Sequence, residues 1–262
     1  KWWTGKNQTF AAQSLIHEIS MNNLLEKVRN RISKKIGTDF LQISTPRIIT
    51  SKITNRSILI MSEFSEGELL RGSNTIKQLR DYYLSLSYLK ILTQNLTKAE
   101  KRSIPKRKVS DYLFLYPALL SVAMLRQPKY IFTFLRGVPF VLSAVAKIRK
   151  QSLALVHRDL HTQNILASDK ETTIIDLQRV VLTYPLYELV TTLAVEWENK
   201  EFRESILNSV SLKSQNVFRG LMIHFATHAL TADNLPERYL TRYKKMLKFA
   251  VNDFLTYYKK KL

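Results

Sequence analysis

His157-Arg158-Asp159-Leu160-His161-Thr162-Gln163-Asn164, followed at a distance by Ile174-Ile175-Asp176, is the stretch on which the reading of this chain turns. Asp159 can take a proton from an attacking hydroxyl. Asn164 and Asp176 offer hard oxygen donors of the kind Mg²⁺ prefers, and the three together suit phosphoryl transfer. Asn164 follows Asp159 by five residues, a step that lets a tight loop aim both side chains inward; Asp176 comes twelve residues later. The flanks agree with such a loop. Residues 153–156 and 164–167 are short apolar runs, 168–171 read as a polar turn, and 172–175 as a β-branched strand. A polar hairpin with Asp159 capping a turn is the plainer alternative. It accounts for neither the apolar flanks nor the spacing of three proton- and metal-handling groups.

On either side, the periodicity organises the rest. Residues 8–30 are helix-like, with Leu15, Ile19, Leu24, Leu25 and Val28 spaced along one face. Residues 45–50 and 57–64 read as strands, and Gly67 and Gly72 punctuate the exit, a natural seam between lobes. The pattern then turns helical: 74–96, a basic loop containing Pro105, and 110–150 with breaks expected at Pro128 and at Gly137–Pro139. After the central motif, helices resume at about Leu186, Arg203, Asn216 and Glu237.

The 262 residues suffice for one large domain or two lobes. Having no cysteine, the chain has neither disulfides nor thiolate metal sites. It opens on Lys-Trp-Trp without Met or a signal-like segment, which reads as the inside of a strand in a trimmed chain. Lys and Arg outnumber Asp and Glu by 41 to 21, a net charge of +20. Such a field attracts anions. No RNA-binding signature accompanies it, so nucleic acid is not expected as a partner. Solvated basic helix faces are the plain reading of this charge. A phosphate-rich substrate, or peripheral contact with an anionic membrane at its inner, cytoplasmic face, is the functional one. The uncharged run 112–125 is fourteen residues long, short of the ~20 a spanning helix needs. Residues 130–146 are interrupted by Arg136, Gly137 and Pro139, so both runs read as core or surface-lying helices.

With HRDLHTQNIL at 157–166, IIDLQR at 174–179 and ILIMSEFSEGELL at 58–70, the sequence resembles the kinase-like superfamily. It is most similar to the small-molecule branch of aminoglycoside phosphotransferases, choline-type kinases and lipopolysaccharide core sugar kinases. The resemblance spans most of 1–198 and implies an α+β, bilobal protein-kinase-like fold. Residues 1–66 would form a β-rich N-lobe truncated at its start, and 67–262 a mainly helical C-lobe. It implies ATP and Mg²⁺ as cofactors, a small-molecule, sugar or glycolipid hydroxyl as acceptor, and roles residue by residue. Asp159 would be the catalytic base, Asn164 and Asp176 the Mg²⁺ ligands, and His161 a residue that orders the loop or meets the phosphate. Glu63 and Ser65 fall where hinge backbone groups bond adenine. Glu18 matches the helix glutamate that pairs with a phosphate-gripping lysine, for which the spacing points to Lys1, with Lys6 as fallback.

Departures from the pattern carry information too. Arg158 matches the protein-kinase form of the motif, where small-molecule kinases have a small residue, whereas His161 matches the small-molecule form. Tyr184-Pro185 follow Asp176 too closely for a long activation segment, and no Ala-Pro-Glu follows. The glycine-rich phosphate loop would precede Lys1, and a chain without it should bind ATP weakly and phosphorylate poorly. The rival readings are a non-catalytic pseudokinase or regulatory binding module, and an atypical protein kinase. His224 and His228 share a helix face, as a metal pair would, but read as packing because no third ligand is apparent.

Overall fold

The computed structural model describes residues 2–4, 10–36, 43–54, 57–63, 67–107, 109–149 and 151–259. In chain order the first elements are β1 (Trp2–Thr4), α1 (Phe10–Ile36), β2 (Ile43–Ser44), β3 (Ile48–Ile53), β4 (Ser57–Ser62) and β5 (Glu68–Leu69). Helices α2 (Thr75–Asn95), α3 (Lys98–Ser103), α4 (Val109–Arg126) and α5 (Ile131–Ile148) follow. The central motif is framed by β6 (Ala154–Val156), β7 (Ile165–Ala167), β8 (Thr172–Ile174) and β9 (Val181–Thr183). Helices α6 (Pro185–Val195), α7 (Lys200–Ser209), α8 (Gln215–Ala229), α9 (Glu237–Lys248) and α10 (Phe254–Lys259) complete the chain.

The chain divides into two compact units, 1–106 with 154–182, and 107–153 with 183–262. These bounds differ from the lobe seam expected at 66/67. In the first unit, β1, β4 and β3 form an antiparallel sheet in the order β1-β4-β3. Alternation along β4 buries Ile58 and Ile60, which meet Ala12 and Ile19 of α1 in one apolar cluster. Leu15 and Ile19 of the stripe read from the sequence therefore face the sheet, and α1 runs six residues beyond the expected end, to Ile36. A second sheet, β2-β8-β7-β5, pairs β7 with β8 antiparallel and β2 with β8 parallel. It is the frame from which the central motif hangs.

Helix α2 starts where Asn74 caps the backbone N–H of Lys77, close to the expected bounds. Residues 98–103, expected in a loop, instead form α3. The reason is a capping box: the Thr97 side chain accepts from the Glu100 N–H while the Glu100 carboxylate accepts from the Thr97 N–H. Glu100 also receives both terminal nitrogens of Arg31 from α1, at 2.8 and 2.9 Å. These bonds hold its pKa at about 2, chiefly through the Arg31 guanidinium and against the opposing effect of burial.

The second unit is helical. The break expected at Pro128 is present as a 3₁₀ turn, Pro128–Tyr130. The one expected at Gly137–Pro139 is not, because α5 runs through it. Burial of Phe134, Val141, Ala144 and Ile148 offsets the hydrogen bond lost at Pro139. Gly137 acts as a close-contact position instead: a Cβ there would lie 2.8 Å from Ile223 of α8. The reciprocal contact is tighter, since a Cβ on Gly220 of α8 would lie 2.4 Å from both the Phe140 carbonyl oxygen and the Ala144 Cβ. Next to it Arg219, buried, stacks on Phe140 and donates from Nε and Nη2 to the carbonyls of Ala250 and Val251, each at 2.6 Å. Those carbonyls belong to a π-helical turn, Phe249–Asp253. His224 is buried and stacks on Tyr116 at 5.5 Å, whereas His228 on the same helix is exposed. Among the described residues no group of three or more His, Asp or Glu is placed to hold a metal.

Candidate active site

The loop between β6 and β7 is fixed by its own backbone and by two histidines. His157 is fully buried and donates from Nε2 to the Ile175 carbonyl at 2.9 Å. Burial pushes its pKa down, so the imidazole is neutral. The bond links the start of the loop to the strand end that delivers Asp176. Asn164 makes the complementary tie, donating from Nδ2 to the Asp159 carbonyl at 2.8 Å, while its own carbonyl accepts from the Ile175 N–H at 3.0 Å. With the amide nitrogen engaged, Oδ1 is the donor atom Asn164 can present to a cation.

Two residues of the site stand in the left-handed region, Arg158 at φ 67° and Asp176 at φ 62°. Non-glycine residues pay about 1–2 kcal/mol for that conformation, and such strain concentrates at functional sites. The small residue that small-molecule kinases carry at the position of Arg158 would be relaxed there if it were glycine. After Asp176 the chain tightens into a 3₁₀ turn, Leu177–Arg179, and Gln178 donates from Nε2 to Asp176 Oδ2 at 3.0 Å.

Asp159 is partly buried among cations and donors. His161 Nδ1 accepts from the Gln163 N–H at 3.2 Å, which leaves the proton on Nε2, 3.5 Å from Asp159 Oδ1. Arg179 Nη1 lies 3.6 Å from Asp159 Oδ2. Burial alone would raise the carboxyl's pKa. The His161 hydrogen bond, the Arg179 charge and the nearby histidines outweigh it, and the pKa falls below the ordinary carboxylate value. The group is therefore an ionised proton acceptor at neutral pH.

Asn164 and Asp176 open into one cavity of about 420 Å³, together with Glu18, Asn22, Pro46, Ile48, Ile60 and Ser62. Glu18 is buried on α1, one residue beyond His17, whose Nε2 donates to the Val180 carbonyl at 2.7 Å. That bond docks α1 on the segment following Asp176. Asn22 lies one turn further along α1; its Nδ2 donates to the Glu18 carbonyl, and its buried Oδ1 has no hydrogen-bond partner. The cavity thus offers one amide oxygen, two carboxylates and an unsatisfied acceptor beside Ser62 and the apolar Pro46, Ile48, Ile60 and Ile175.

The structure accordingly gathers Glu18, Asn164 and Asp176 around one space, with Asp159 and His161 joined to it through Asn164. Glu63 lies elsewhere, on an adjoining cavity of about 390 Å³ that shares Pro46. Its N–H donates to the Arg47 carbonyl at 2.8 Å, so its own carbonyl is what it could offer an adenine. Lys1, Lys6 and Ser65 lie outside the described residues. Sequence reasoning missed Gln178, Arg179, His17 and Asn22. The first two sit inside IIDLQR, where the resemblance implies a role for the aspartate alone.

The comparisons with known proteins concern the family and the fold. Residues 107–215, which include the whole central motif, match the family described as APH, phosphotransferase enzyme family. No curated protein matches the chain. Among solved structures, it is similar to the gentamicin complex of APH(2")-IIa, with TM-score 0.58, 17% identity, and 95% of this chain and 82% of that chain covered. Spectinomycin phosphotransferase APH(9)-Ia, in complex with ADP and spectinomycin, has TM-score 0.57 at 13% identity, covering 88% of this chain and 82% of that one. A ternary complex of APH(4)-Ia with AMP-PNP and hygromycin B has TM-score 0.57 at 10% identity, covering 86% and 83%. These likenesses establish the kinase-like α+β fold. With the family match, they bear out the resemblance to small-molecule phosphotransferases, ATP-dependent enzymes acting on hydroxyl groups.

Proposed function

We propose that the protein moves the terminal phosphoryl group of ATP to a hydroxyl of a non-protein acceptor, a sugar or sugar-bearing lipid before others. The observation that carries this reading is the shared cavity of Asn164, Asp176 and Glu18, hydrogen-bonded through Asn164 to a loop whose Asp159 is held ionised. Asn164 Oδ1 and the Asp176 carboxylate suit Mg²⁺, which takes one or two protein oxygens and completes its shell with phosphate and water. Bound there, the ion would neutralise charge on the phosphates.

Asp159 accepts the acceptor's hydroxyl proton as the oxygen–phosphorus bond forms and the bond to the leaving diphosphate breaks. His161, through Nε2–H, keeps the carboxylate ionised and oriented. Gln178 fixes the rotamer of Asp176. Glu18 fits the role of partner to a phosphate-gripping lysine, for which Lys1 remains our candidate. Glu63 and Ser65 remain candidates for backbone contacts to adenine. The excess of positive charge favours an anionic, phosphorylated acceptor over a polycationic one.

The test compares the protein with its Asp159→Asn and Asp176→Asn variants for Mg²⁺-dependent nucleotide binding and phosphoryl transfer to hydroxylated acceptors. Asp159→Asn should keep nucleotide binding and lose about 10²–10⁴ in kcat. Asp176→Asn should lose the Mg²⁺ dependence of binding. Transfer unaffected by Asp159→Asn would refute the base, and Mg²⁺-dependent binding without any transfer would mark a binding module instead.

A further inference from the structure

Helix α5 with its preceding turn, Pro128–Ile148, is long and apolar enough to cross a membrane by length and composition. One face, with Phe134, Gly137, Val141, Ala144 and Ile148, is buried in the helical unit, where it meets α8. The opposite face is the unusual one. At 3.6 residues per turn, exposed Phe132, Leu135 and Leu142 fall together along the middle of that face. Arg136 and Lys147 flank them on one side and Arg149 on the other, and all three are exposed. On α4, Leu115, Val122 and Leu125 share one exposed arc in the same way. Leu125 and Phe132, on either side of the connecting turn, are 82% and 81% exposed.

Charge says what covers this face. Residues 112–158 contain no Asp or Glu and seven Lys or Arg. At the turn Lys129 is exposed, and Lys244 and Lys248 of α9 reach the Tyr130 ring at 5.7 and 5.2 Å. Arg126 is the exception, ion-paired with Asp233. Apolar side chains along the middle of a helix face, bordered by cations and without carboxylates, form the pattern of a helix lying in the headgroup region of a bilayer.

We propose that the α4–α5 hairpin seats the protein on an anionic lipid surface, its leucines and Phe132 entering the headgroup boundary and its lysines and arginines meeting the phosphates. This does not depend on the phosphotransfer reading, and its failure would leave that reading untouched.

The test is flotation with phosphatidylcholine vesicles, with and without phosphatidylglycerol. The protein should bind the anionic vesicles and release as salt is raised. Leu125→Glu with Phe132→Glu should weaken binding at least about tenfold, and Arg136→Glu with Lys147→Glu about as much. Because the chain has no cysteine, an environment-sensitive dye on Phe132→Cys reports insertion directly. Its emission should shift to the blue on anionic vesicles, while the same dye on Glu201→Cys should not. This second reading stands even if the charge-introducing variants fold poorly. Absence of vesicle binding, or binding with an unshifted dye at position 132, would overturn the proposal. So would a dimer that Leu125→Glu and Phe132→Glu dissociate, with no lipid binding, since the face would then belong to a second copy.

Discussion

Arg179 places Nη1 3.6 Å from Oδ2 of Asp159, while His161 faces the other oxygen of the same carboxylate at 3.5 Å. The proposed base is thus bracketed by one permanent cation and one proton donor. Both effects lower its pKa and together overcome the burial that would raise it. Activity should therefore persist into acid until the pH falls below the ordinary carboxylate value. Arg179→Met removes one of the lowering effects, so the acid limb of kcat/KM should move to higher pH, with the plateau retained. A pH–rate profile of the two proteins checks this; an unmoved limb would show that Arg179 does not act on Asp159.

Glu100 gives a stability prediction with a definite sign. Its carboxyl titrates at about 2 in the folded protein, against 4.5 ordinarily. The contribution is complete above the ordinary value and is lost as pH falls from there toward 2. Arg31→Ala should cost roughly 1–3 kcal/mol at neutral pH. Glu100→Gln should flatten the decline in stability across that acid window. Denaturant titrations at a series of pH values measure both.

The α5–α8 contact predicts a graded series at glycines. Gly220→Ala forces a Cβ to within 2.4 Å of a backbone oxygen and should cost about 1–3 kcal/mol or more. Gly137→Ala meets side chains alone, Ile223 at 2.8 Å, which can turn aside, and Val251 at an ordinary 3.6 Å, so its cost should be smaller. Gly72→Ala has nothing within 4 Å and should be nearly neutral. Thermal melts of the three variants should rank in that order.

Arg219→Met keeps much of the side-chain volume but withdraws the donors from the Ala250 and Val251 carbonyls. Losing a hydrogen bond from a charged donor costs about 1.5–3 kcal/mol. The variant should melt earlier, and hydrogen exchange should rise first across 249–253. Equal protection there would mean that the π-helical turn does not depend on Arg219.

The loop between β6 and β7 and its strands were legible because their residues are chemically unusual at fixed spacing, and α2 and α6 to α9 because apolar periodicity survives in sequence. Two errors have physical causes. Helix α3 hides in a basic run, where a capping box rather than hydrophobicity starts it, and Thr97-x-x-Glu100 was the available signal. Gly137 and Pro139 look like breakers locally, but burial along one face of α5 outweighs their propensities. At the site, Arg179 and His17 were illegible for another reason. Their significance lies in tertiary distances, to Asp159 and to the Val180 carbonyl, that no spacing rule encodes.

Helix α1 is fastened at two places, beside Glu18 through His17 and thirteen residues further on through Arg31. The stretch between them is about 20 Å of continuous helix, stiff enough to act as a lever with its fulcrum at the Glu100 clamp. Loosening that distant clamp would throw the load onto the His17 bond and, through it, shift Glu18. If Glu18 serves the phosphates as proposed, a lesion far from them would then register as poor nucleotide grip rather than as simple unfolding.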